Sequence, residues 1–63
     1  MMIKYTKLVN NEVVYTKKDN EDIIKSCFDF CPKWIRTKVN NWLESGSKQL
    51  TVQFNEFKVR LKK

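Results

Sequence analysis

Lys58, Arg60 and Lys62 recur at every second position of the segment Phe57-Lys58-Val59-Arg60-Leu61-Lys62, alternating with apolar residues. In an extended strand this period puts three cations on one face, about 7 Å apart, a spacing that suits successive phosphates of a nucleic-acid backbone. Thr51 and Gln53 in the preceding segment supply hydrogen-bonding groups, and Lys48 and Lys4 add positive charge. Tyr5 and Tyr15 offer a surface on which bases can stack.

The net charge is +6, and it is unevenly spread. Residues 1–18 carry Lys4, Lys7, Lys17 and Lys18 against Glu12, and residues 47–63 carry Lys48, Lys58, Arg60, Lys62 and Lys63 against Glu56. The middle of the chain is nearly balanced, with Lys25, Lys33, Arg36 and Lys38 against Asp19, Glu21, Asp22, Asp29 and Glu44. Positive charge therefore concentrates in the two terminal segments. DNA or RNA, bound without sequence preference, is the expected partner, and an acidic protein is the alternative. A sheet covered on one side must also show polar residues on the other, and lysine deters edge-to-edge pairing, so solvation competes with both.

Other chemistry is poorly supplied. Histidine is absent, which removes the usual general base near neutral pH and the commonest metal ligand. Cys27 and Cys31, four residues apart, share one face of a helix. Structural zinc needs four ligands and no second pair exists, so the two thiols read as small buried residues of an apolar stripe. Glu56-Phe57-Lys58 matches the E-x-K core of metal-dependent nucleases, but nothing upstream completes such a site. Asp19, Glu21 and Asp22 fit the electrostatics of a helix start. A non-enzymatic protein with no cofactor and no metal is expected.

The elements that position these residues follow from periodicity. Residues 2–17 read as a hairpin turning at Asn10-Asn11. Its alternation is imperfect: with Ile3, Tyr5 and Val9 on one side, Lys7 interrupts the row and Leu8 faces the other way. Residues 48–62 read as a second hairpin through Asn55-Glu56, with Leu50, Val52, Phe54, Phe57, Val59 and Leu61 on one face.

Residues 20–45 read as helical, capped by Asp19 or Asn20 and stopped before Gly46. An unbroken helix there would run about 39 Å, far longer than strands of about 23 Å. Pro32 therefore divides the region into a short helix near 20–29 and a main helix, with Asp29 as a candidate cap for the second. One kinked helix is the competing arrangement.

The expected fold is α+β: a single antiparallel sheet of two hairpins packed against one kinked or two short helices, in the order ββ(α)αββ. That order differs from those of the dsRNA-binding domain, the RNA-recognition motif and the ribbon-helix-helix repressors. Sixty-three residues form one domain with a small core. Trp42 falls in the apolar stripe, whereas Trp34, Phe30 and Ile23 fall on its flank and form a candidate partner-binding ridge. Two open hairpins and this ridge offer routes to a homodimer. No apolar run is long enough to cross a membrane, and the start lacks the apolar core of a secretion signal, so a reducing, cytoplasmic setting is expected.

Overall fold

Asn10 and Asn11 adopt left-handed φ values of 52° and 64°, the pair of conformations that a two-residue hairpin turn with the sheet's own twist demands. They join β1 (Met2–Val9) to β2 (Glu12–Asn20). Asn55, with φ of 55°, does the equivalent work between β3 (Gln49–Phe54) and β4 (Phe57–Lys62). Between the hairpins lie α1 (Glu21–Ser26) and α2 (Lys33–Glu44). The computed structural model describes residues 1–63, within 29 × 23 × 19 Å.

The four strands form one antiparallel sheet in the order β2-β1-β4-β3. The terminal strands β1 and β4 are thus central neighbours, pairing from Lys4 with Lys62 to Val9 with Phe57. Cross-strand partners share a face. Ile3, Tyr5, Lys7 and Val9 accordingly lie on the same side as Leu61, Val59 and Phe57 of β4 and Leu50, Val52 and Phe54 of β3. Both helices cover this side. Ile3, Ile24, Ile35 and Leu61 are completely buried at the interface, each contributing about 1.5–3 kcal/mol through removal of apolar surface from water.

The helical region is divided into two helices. Asn20 caps the first, its side-chain oxygen accepting from the Ile23 backbone N–H at 3.0 Å. The strand before it runs through Lys17–Asn20, further than the expected hairpin end at residue 17. The first helix is also shorter than expected, because the chain tightens after Ser26. The backbone N–H groups of Cys27, Phe28 and Asp29 each bond the carbonyl three residues back, a turn too tight to propagate.

Pro32, at φ −56° and ψ 155°, is the residue from which α2 starts, and it leaves Asp29 outside the cap. The expectation for Asp29 is therefore corrected: no side chain caps the N-terminus of α2. Cys27 and Cys31 likewise sit beyond α1 rather than on one helical face; both are half-buried against the core.

Candidate nucleic-acid interface

Alternation along β4 sends Val59 and Leu61 into the core and Lys58, Arg60 and Lys62 to the opposite, helix-free face. Pairing across the sheet then decides what stands beside them. Lys62 is opposite Lys4, and Lys4 is opposite Lys18, so three lysines form a row across β4, β1 and β2, with about 5 Å between neighbouring strands. Lys62 is also the end of the column formed with Arg60 and Lys58, which extends about 14 Å along β4. The basic face is thus L-shaped, with Lys62 at the corner.

The rest of this face is neutral. Thr16, Thr6, Arg60 and Thr51 form the second row, and Val13, Leu8, Lys58 and Gln53 the third. Leu8 is buried although no helix covers it. Its neighbour Lys58 is half-buried, its aliphatic stem lying along apolar surface as long cationic side chains do. None of the seven carboxylates belongs to this face: Glu12 and Asp19 pair with Val9 and Ile3 of the other side, Glu56 is in a turn, and the others are in the helical region.

The cations of the outer face are also free of intramolecular partners. The chain has one ion pair, Lys25 to Glu21 at 3.7 Å. Lys7 sits over the Phe57 ring, Lys38 over Trp34 and Lys63 over Trp42. Lys63 is held further by the last turn of α2, donating to the carbonyls of Trp42 at 3.0 Å and Ser45 at 2.6 Å. Lys4, Lys18, Lys58, Arg60 and Lys62 have neither a carboxylate nor an aromatic ring as partner.

Three residues proposed from sequence leave the interface. Tyr5 faces the helices and is 8% exposed, packed edge-on against Phe28 and Tyr15, so it is core and not a stacking surface. Burial raises its phenol above the ordinary value of 10.0, and the nearby Cys27, Cys31 and Tyr15 push the same way. Lys48 precedes β3 and is out of phase with the outward Gln49, so it does not extend the rows. Tyr15 shares the helix-side face but remains half exposed at the rim, on the wrong side for the basic rows.

Lys18 was not among the residues singled out in the sequence. Only a strand continued to Asn20, in register with Lys4, brings it into the row. Phe30, in the turn between the helices, is 98% exposed and Trp34 on α2 53%, with Trp42 in the core.

Both thiols are free, and burial raises Cys31 above its ordinary 9.0 while Arg36 draws it back, which disfavours at Cys31 the thiolate that reactivity and metal binding need. No three His, Cys, Asp or Glu side chains converge to hold a metal ion. No helix is long and apolar enough to cross a membrane.

Compared with known proteins, the chain matches no family model, no curated protein and no solved structure.

Proposed function

We propose that this protein is a small non-enzymatic binder of nucleic acid, holding the phosphate backbone against the outer face of its sheet. One observation carries the proposal: five cations share a face that has no carboxylate, no covering helix and no intramolecular partner for any of them. Like charges placed directly opposite in a sheet destabilise it. A polyanion lying across Lys18, Lys4 and Lys62 and along Arg60 and Lys58 relieves that repulsion and releases its own counterions.

Little base discrimination is expected. The helices lie on the far side of the sheet, so no helix is presented to a groove, and Arg60 is the only arginine on the face. Thr16, Thr51, Gln49 and Gln53 supply hydrogen bonds suited to phosphate and sugar oxygens.

The test is a gel shift with duplex DNA, single-stranded DNA and RNA, using the wild type and a Lys58→Glu, Arg60→Glu, Lys62→Glu variant. Loss of binding with an unchanged circular-dichroism spectrum is expected. A variant that binds as well as the wild type contradicts the proposal.

A second reading rests on Phe30, which is almost wholly exposed, and on the half-exposed Trp34. Exposed aromatics of this kind anchor protein interfaces, and the basic strand would then steer an acidic partner protein. Recovery of one protein after nuclease treatment, lost in Phe30→Ser, favours that second reading.

A further inference from the structure

The two edges of the sheet are guarded very differently. β2 carries Glu12, Lys17, Lys18 and Asp19, and its register slips at Val14, where Lys7 pairs with Tyr15 but Leu8 pairs with Val13. Charge and a bulge are two devices by which an edge strand avoids pairing with another chain. β3, the sequence Gln49-Leu50-Thr51-Val52-Gln53-Phe54, has neither. It contains no charged residue and no proline, pairs regularly with β4 alone, and is the only uncharged strand in a chain of net charge +6.

β3 is also complementary to itself. Gln49, Thr51 and Gln53 face outwards, and Leu50, Val52 and Phe54 face the helices. An antiparallel pairing centred on Thr51 sets Thr51 opposite Thr51, Leu50 opposite Val52 and Gln49 opposite Gln53. From Gln49 to Gln53 every side chain then meets one of its own kind on its own face, and Phe54 stands opposite Lys48 of the second copy. β2 is less well matched to itself. Centred on Tyr15, its bulge would set outward Val13 against Lys17, which faces the helices.

The helical layer points to the same edge. Lys33, Arg36 and Asn40 line a groove of about 440 Å³ with Lys25, Phe28 and Asp29, so that flank of α2 faces α1. Trp34 and Lys38 lie on the other flank, and α2 packs on β3 while α1 packs on β1 and β2. The half-exposed Trp34 is therefore on the flank of α2 turned away from α1, in the helix that packs on β3, whose Leu50 and Phe54 are also only partly covered.

We propose that a second copy of this chain docks at this edge, β3 pairing antiparallel with β3 to give an eight-stranded sheet, with Trp34, Leu50 and Phe54 at the helix-side seam. The two-fold axis stands perpendicular to the sheet, so both basic faces look the same way. The two columns of Lys58, Arg60 and Lys62 then lie three strand spacings apart, about 14 Å. The uncharged edge is what lets two cationic molecules meet without setting lysines against one another.

The test is a mass measurement in solution, by sedimentation equilibrium from micromolar concentrations to about 1 mM. It stands apart from the phosphate proposal, since a monomer would refute the dimer and leave the basic face intact. Twice the chain mass of 7.6 kDa is expected. Thr51→Lys, which places two lysines opposite each other at the centre, should weaken the dimer by up to about fivefold. The matched Thr16→Lys on the guarded edge should leave it unchanged, with both variants retaining the wild-type circular-dichroism spectrum. A mass of 7.6 kDa throughout, or dissociation by Thr16→Lys and not by Thr51→Lys, overturns the proposal.

Discussion

Replacing Lys4 with threonine should make the free protein more stable while making it a poorer binder. Lys4 stands directly between Lys18 and Lys62 on adjacent strands, and none of the three has a counter-charge. A like-charged cross-strand pair costs about 0.2–1 kcal/mol, and exposure to solvent favours the lower part of that range. Two such contacts amount to about 1 kcal/mol at low ionic strength. In a domain of this size that corresponds to a rise in Tm of about 4–8 °C.

Thermal melts of wild type and Lys4→Thr, each at low salt and at about 1 M salt, separate charge from strand propensity. At about 1 M the screening length falls to about 3 Å, so the electrostatic part of the gain should vanish and only threonine's better fit to a strand should remain. The same substitution should weaken binding to DNA. A Tm that falls at low salt, or a gain identical at both salts, would show that the row of lysines stores no repulsion for an anion to relieve.

Lys63→Met should cost about 1–2 kcal/mol in urea denaturation. It removes the ammonium that donates to the Trp42 and Ser45 carbonyls at the end of a helix with no basic residue in its last turn. Alkaline titration should expose Tyr5. Its folded phenol lies above 10.0 because of burial, so the unfolded chain gives up its proton first. Stability is then complete below about pH 10 and falls as the pH rises towards the folded value. Tyr5→Phe should flatten that fall, read as the pH dependence of the urea midpoint.

The second hairpin was legible because nothing interrupts it. Leu50, Val52 and Phe54, and then Phe57, Val59 and Leu61, alternate without exception, so both faces follow from the period alone. The first hairpin was not, for two local reasons. Lys7 does lie in the row with Tyr5 and Val9, but at the rim, where it rests on the Phe57 ring. The bulge at Val14 reverses the alternation halfway along β2.

Strand order was beyond local pattern, since the pairing of β1 with β4 joins the two ends of the chain. The column on β4 could thus be read from the sequence, whereas the row through Lys4 and Lys18 required that long-range contact. Lys63 looked like one more surface cation until the fold brought the end of α2 beneath it. The missing cap at Asp29 is a matter of a few residues: the turn after Ser26 and the extended ψ of Pro32 shift the start of α2 past it.

The most direct measurement is the salt dependence of wild-type binding to a short duplex between about 50 and 200 mM. Each phosphate neutralised contributes about −0.9 to the slope of log K against log salt. Full use of Lys4, Lys18, Lys58, Arg60 and Lys62 in one chain gives a slope approaching about −4.5. A steep negative slope of that order is expected; binding that is absent, or that stays flat across the salt range, would contradict a phosphate-holding role for the outer face of the sheet.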